Sequence, residues 1–129
     1  MYLDLDGFKP INGAHCHAAG DELLRIVAAR LSRVMRAEDM VSRLGGDEFG
    51  CLLSGLDDRA QLVQLAGKVY DAVSAPCKVR RLRLLVRPSI GIAICPVDGE
   101  TSDELLYNAD AAMYQAKRLG LRHAFCSES

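Results

Sequence analysis

The sequence predicts an α/β sandwich, a central mixed and mainly antiparallel sheet flanked by helices. Three observations lead there. Strand-like and helix-like segments follow the order β-α-β-β-α-β-β-α-β, a pattern that buries helix faces against a sheet. Three stretches repeat apolar residues at helical spacing. Two short apolar runs flank a Gly-Gly turn, the signature of a β-hairpin. A chain of 129 residues with no repeats and no low-complexity linker fits a single domain, 1–129, around one core.

Met1 to Leu5 alternates apolar and acidic residues and reads as a strand. The loop "DGFKPING" follows, punctuated by Gly7, Pro10 and Gly13. From about Asp21 to Ala37, Leu23, Leu24, Val27, Ala28, Leu31, Val34 and Met35 recur at helical spacing. Met40 to Leu44 and Phe49 to Leu53 form the hairpin strands. A second helix spans about Asp58 to Val73, with Leu62, Leu65, Ala66, Val69 and Val73 on one side, and Pro76 stops it. "CKVRRLRLLVRPSIGIAIC" supplies one or two strands, broken near Arg80 and Arg81. Thr101 and Glu104 form a capping box that opens a third helix, Gly120 ends it, and "RHAFC" closes the chain as a strand.

Composition excludes several classes. With a net charge of -1 the chain has no broad electrostatic grip on nucleic acid or an anionic membrane. Lys78, Arg80, Arg81, Arg83 and Arg87 lack interleaved aromatics and read as a solvated face. No apolar run is long enough to span a bilayer and no signal peptide is present, so no direct membrane contact is expected. Five scattered cysteines without a CxxC pair read as free thiols of a reducing cytoplasm. A chain that opens directly on a strand reads as the remnant of a longer protein.

The segment "RLGGDEFG", Arg43 to Gly50, places two adjacent carboxylates, Asp47 and Glu48, behind Gly45 and Gly46. Glycines at a turn supply positive φ and let another group approach the backbone. Asp4 and Asp6 close the first strand, and pairing of that strand with the hairpin would bring Asp4 to Asp47. Clustered carboxylates raise one another's pKa unless a cation intervenes, and Mg²⁺ takes such oxygens together with substrate phosphates. A single such acid is well explained as a solvated turn residue, whereas two pairs favour a metal site. Gly7, Phe8 and Lys9 can direct N–H groups and an ammonium at phosphate oxygens. Asn12 and Asp21 offer donor and acceptor groups to a purine edge, although a turn residue and a first-turn helix acid explain each alone equally well. Together these groups point to a nucleoside triphosphate.

The blocks "DLDGFKPIN", "HCHAAGDELL", "RAEDMVSRLGGDEF", "SIGIA" and "ADAAMYQAK", in this order, resemble the GGDEF domain family, the catalytic domains of bacterial diguanylate cyclases. The resemblance runs to about Leu121. It implies a fold like nucleotide cyclases and the polymerase palm. It implies condensation of two GTP into cyclic di-GMP and pyrophosphate by a homodimer, each domain holding one GTP.

Carried onto this chain, it implies that Asp4, the Leu5 carbonyl, Asp47 and Glu48 hold two Mg²⁺ per half-site, with Mn²⁺ as an alternative. Asp47 and Glu48 are the catalytic pair, and the α-phosphate and ribose lie over Gly45 and Gly46. Asn12 and Asp21 read guanine, while Phe8, Lys9, Lys117 and Arg122 hold phosphates. "RAED" matches an inhibitory cyclic di-GMP site at Arg36 and Asp39.

Three departures stand out. Cys16 replaces a usual glycine, Gly120-Leu121-Arg122 replaces GRN and displaces an arginine by one position, and the family's N-terminal helix is missing. The first two would weaken phosphate binding. A regulatory module that binds GTP or cyclic di-GMP and controls an attached sensor or phosphodiesterase domain is the second reading. Either implies a cytoplasmic domain of a larger protein that could be membrane-anchored.

Overall fold

The computed structural model describes residues 1–6, 17–56, 58–79 and 82–126. Strand β1, Tyr2–Asp6, leads to helix α1, His17–Val34, and then to the hairpin of β2, Met40–Gly45, and β3, Glu48–Leu52. Helix α2, Arg59–Ser74, is followed by β4, Cys77–Val79, β5, Leu82–Leu84, and β6, Arg87–Ile92. Helix α3, Ser102–Leu119, and strand β7, His123–Phe125, complete it. The main sheet has the order β2-β3-β1-β6-β7, with β4 and β5 forming a separate two-stranded ribbon. All pairs are antiparallel except β6 with β7, which α3 joins in parallel. The expected sandwich is therefore present, mixed and mainly antiparallel.

Two expectations need correction. The stretch from Cys77 to Ile92 holds three strands rather than one or two, because β4 and β5 fold on each other before β6 enters the sheet. Helix α1 starts at His17, so Asp21 lies in its second turn rather than in the first, where the dipole would favour it.

Strand β1 sorts the molecule into two faces, because successive side chains point to opposite sides. Leu3 and Leu5 enter the main core with Leu23, Val27 and Leu31 of α1, Ala66, Val69 and Val73 of α2, and Phe49, Ile90 and Ile92 of the sheet. Burying each of the larger side chains contributes about 1.5–3 kcal/mol. Tyr2, Asp4 and Asp6 point the other way, towards α3, whose Ala109 and Met113 pack on Tyr2 and whose Ala112 and Ala116 pack on Ala124.

The small residues let α3 lie close to the sheet. At Gly91 an added Cβ would stand 2.0 Å from the Ala109 carbonyl oxygen and 2.3 Å from the Met113 nitrogen. Thr101 caps α3 by accepting from the Glu104 N–H at 3.2 Å, and Gly120 ends it in the left-handed region at φ 69°. Fixed at both ends, α3 carries Asp110 and Lys117 on one side, two turns apart.

Candidate functional site

The acidic residues meet where the hairpin tip crosses β1. Gly45 pairs with Glu48 across a two-residue turn, and the register shifts between Arg43 and Gly45. Gly46 has φ +24°, a conformation that side chains rarely adopt. A Cβ on Gly45 or Gly46 would meet no atom within 4 Å, so the space above the turn is open. The Leu5 N–H donates to the Asp47 carbonyl at 3.1 Å and pins the tip to β1. Asp4 and Glu48 are direct cross-strand partners.

Lys117 Nζ donates to Asp4 Oδ2 at 2.8 Å and lies 3.2 Å from Asp6 Oδ1. Asp6 Oδ2 accepts from the Ser89 hydroxyl at 2.9 Å, and Glu48 Oε2 accepts from the Tyr2 hydroxyl at 2.6 Å. Asp4 Oδ1 is buried and, among the described residues, has no hydrogen-bond partner. Such an atom carries a desolvation cost of about 1–3 kcal/mol, or more when charged.

The electrostatics agree. Burial and then the Asp4 charge push the Asp47 carboxyl above its ordinary range. Burial followed by Glu48 and Asp4 does the same at Asp110. The hydrogen bond to Asp4 raises the Lys117 ammonium, and burial with the Glu48 contact raises the Tyr2 phenol. Among the described residues these carboxylates outnumber the cations that reach them.

A cluster of half-buried and exposed carboxylates around an unpartnered, buried Asp4 oxygen fits a hard divalent cation. Among the described residues no three His, Cys, Asp or Glu side chains form a metal cage by themselves. Mg²⁺ is commonly held by one or two carboxylates plus substrate phosphates, and the Asp4–Asp47 pair meets that requirement.

The structure brings together Asp4, Leu5, Gly45, Gly46, Asp47, Glu48 and Lys117. Phe8, Lys9, Asn12 and Cys16 lie outside the described residues, as do Arg80 and Arg81. Asp21 is exposed on α1. Arg122 does not join the acids. Its guanidinium stands over the Tyr70 ring, 4.7 Å from the centroid, and Tyr70 packs on the core of the opposite sheet face.

Arg36 and Asp39 are paired with each other, and Glu38 Oε1 lies 3.2 Å from Arg36 Nε. Arg36 Nε and Nη2 donate to the two Asp39 oxygens at 3.1 and 2.9 Å, and Nη2 also reaches the Ser54 carbonyl. Tyr2, Ser89 and Asp110 are site residues that motif reading passed over. Tyr2 lies two residues before Asp4, and Asp110 lies seven before Lys117. The strand and helix periods therefore pointed to both.

Known proteins match this chain closely. The sequence model of the family described as diguanylate cyclase, GGDEF domain, matches residues 1–123. The bifunctional diguanylate cyclase/cyclic di-GMP phosphodiesterase MucR of Pseudomonas aeruginosa is 45% identical over 126 residues, 98% of this chain and 18% of MucR. The cyclic di-GMP phosphodiesterase NbdA of the same species is 39% identical over 124 residues, 96% of this chain and 16% of NbdA. The chain thus spans less than a fifth of the length of either. The crystal structure of the GGDEF domain of TpbB (YfiN) from P. aeruginosa superposes with a TM-score of 0.92 at 36% identity, covering 99% of this chain and 81% of that one.

Proposed function

This chain belongs to the GGDEF domain family, and from that premise we propose that it condenses two GTP into cyclic di-GMP. In each half-reaction the 3′-oxygen of one GTP bonds to the α-phosphorus of the other. The bond to the bridging oxygen breaks, pyrophosphate leaves with the electron pair, and the hydroxyl proton is released to solvent. The second half-reaction closes the ring. One domain presents one GTP, so a second copy must face it.

Asp4, the Leu5 carbonyl, Asp47 and Glu48 would hold Mg²⁺ or Mn²⁺, two ions per half-site, which would lower the pKa of the attacking hydroxyl and neutralise charge on the leaving pyrophosphate. The open space above Gly45 and Gly46 admits the ribose and α-phosphate. Lys117 balances Asp4 and Asp6. With a cation held by those acids, the Lys117 ammonium would be free to meet a phosphate oxygen. Phe8 and Lys9 hold phosphates, and Asn12 and Asp21 read the guanine edge. Cyclic di-GMP bound at Arg36 and Asp39 slows the enzyme by holding two domains apart or in an unproductive orientation. The domain works in the cytoplasm, joined to sensor or phosphodiesterase domains. Among the described residues no helix is long and apolar enough to cross a membrane.

The observation that carries this reading is the unpartnered Asp4 oxygen beside Asp47, in a cluster short of cations. A second reading, a weak or inactive module that binds GTP or cyclic di-GMP and controls an attached phosphodiesterase, draws on Arg122, whose guanidinium stacks on Tyr70 outside the acidic cluster. Incubation with GTP and Mg²⁺ followed by product identification separates the two. Cyclic di-GMP with pyrophosphate supports the enzyme, and retained GTP binding without product supports the module. Under the enzyme reading GTP is used in strong preference to ATP, and Asn12→Ala erodes that preference, because a site built to hydrogen-bond one group rejects analogues lacking it. Equal use of both nucleotides by the wild type removes the guanine assignment.

A further inference from the structure

Tyr2 occupies an unusual place in the sheet. Its direct cross-strand partners are Gly50 on β3 and Gly91 on β6, so neither neighbouring strand puts a side chain beside it on the α3 face. Leu44 covers the Gly50 position and the α3 backbone covers Gly91, and the Tyr2 ring, 9% exposed, packs with Ala109 and Met113. Packing alone would be met by phenylalanine. The hydroxyl adds something else, a 2.6 Å hydrogen bond to Glu48 Oε2.

Glu48 is the direct partner of Asp4 and hence the diagonal neighbour of Tyr2, a spacing that an aromatic side chain spans. An O–H donor to a carboxylate makes a short, charge-assisted bond. A tyrosine buried with Ala109 and Met113 has little rotamer freedom, whereas a glutamate has three rotatable bonds. The rigid partner therefore sets the flexible one.

We propose that Tyr2 is a positioning residue for the site, holding Glu48 by one carboxylate oxygen so that the other is directed to a divalent cation. The inference rests on the metal-dependent reading of the site given above. Groups that orient metal ligands in this way commonly change metal affinity or activity by about 10–100-fold when removed. Tyr2 touches neither substrate nor metal, and its influence runs through Glu48.

The test is a titration with Mn²⁺ in the presence of a GTP analogue that cannot react at its α-phosphorus, free ion being counted by electron paramagnetic resonance. Wild type, Tyr2→Phe, Glu48→Gln and the double variant are compared. Phenylalanine keeps the ring between the two glycines, so the variant folds, and its thermal melt checks this.

Tyr2→Phe is expected to weaken Mn²⁺ binding by about tenfold in the wild-type background. The same change in the Glu48→Gln background is expected to have almost no effect, which a loss of packing would not produce. Turnover should show the matching split, a lower kcat at fixed Mn²⁺ that excess metal restores, with KM for GTP little changed. Equal Mn²⁺ affinity in wild type and Tyr2→Phe overturns the role of Tyr2 while leaving the metal site standing. Equal losses in both backgrounds reduce Tyr2 to a packing residue. Absence of Mn²⁺ binding by the wild type overturns both readings.

Discussion

Two clusters of charge, both near the β2–β3 hairpin, behave in opposite ways. Arg36 and Asp39 satisfy each other: the guanidinium fork takes both carboxylate oxygens, the backbone N–H of Arg36 adds a third bond at 2.9 Å, and Glu38 Oε1 lies 3.2 Å from Arg36 Nε on the exposed side. The cluster on the α3 face of β1 is unmatched. Among the described residues Lys117 pairs with Asp4 and Asp6, while Asp47, Glu48 and Asp110 add further carboxylates, and one buried Asp4 oxygen has no partner. A closed pair satisfies itself and must be opened by any ligand. An excess of carboxylates held in place by the sheet is incomplete until a cation arrives. The pKa directions record the difference: the Arg36 hydrogen bond pulls Asp39 down, whereas burial and Asp4 push Asp47 up.

The largest effect should come from breaking the open cluster. Asp47→Asn or Glu48→Gln should lower turnover by about a hundredfold or more, because several kcal/mol of charge stabilisation is lost at tenfold per roughly 1.4 kcal/mol. Circular dichroism should stay near that of the wild type, since neither residue fills the core. Wild-type rates in either variant would remove these acids from the site.

Next comes the support of α3. Gly91→Ala forces a Cβ into the Ala109 and Met113 backbone, and overpacking of this kind costs about 1–3 kcal/mol. A drop in melting temperature together with weaker GTP binding would follow, because α3 carries Lys117. An unchanged melt would mean that the α3 backbone does not press on Gly91.

Arg36→Ala tests the closed pair. Calorimetry should show cyclic di-GMP binding by the wild type and its loss in the variant, since the planar fork suits a phosphate or a guanine edge. Equal affinity would reduce "RAED" to a helix-end ion pair.

The smallest effect is on stability against pH in metal-free buffer, and the two clusters should differ in sign. The lowered Asp39 contributes stability that is present above the ordinary carboxylate range and is lost as pH falls through its depressed folded value. The raised Asp47 contributes stability that is fully present below that range and is lost as pH rises through its elevated folded value. Asp39→Asn should flatten the acid-side loss of melting temperature, and Asp47→Asn the loss on the rising side. Slopes of the same sign in both variants would contradict the comparison.

Legibility in the sequence followed the range of the interactions. The hairpin, the Thr101 and Gly120 caps of α3 and the stop of α2 before Pro76 depend on residues a few positions apart, and all are present as expected. The start of α1 was missed because His17 to Asp21 carries no apolar period and no obvious cap. The third strand between Cys77 and Ile92 was hidden because Lys78, Arg83 and Arg87 alternate through all three. Asp4, Asp47 and Lys117 were legible through motif spacing. The Tyr2–Glu48 bond required the register of β1 on β3, and the stacking of Arg122 on Tyr70 required the packing of α2, neither of which local pattern carries. The closure of Arg36 on Asp39 is an i,i+3 contact that the sequence did offer.

Cation binding by the two clusters, compared in one titration, tests the central claim most directly. Free Mn²⁺ is followed as wild type, Asp4→Asn and Arg36→Ala are added in the presence of the unreactive GTP analogue. Wild type and Arg36→Ala should sequester the ion with similar affinity, and Asp4→Asn should not. Equal sequestration by Asp4→Asn, or none by the wild type, would contradict the account.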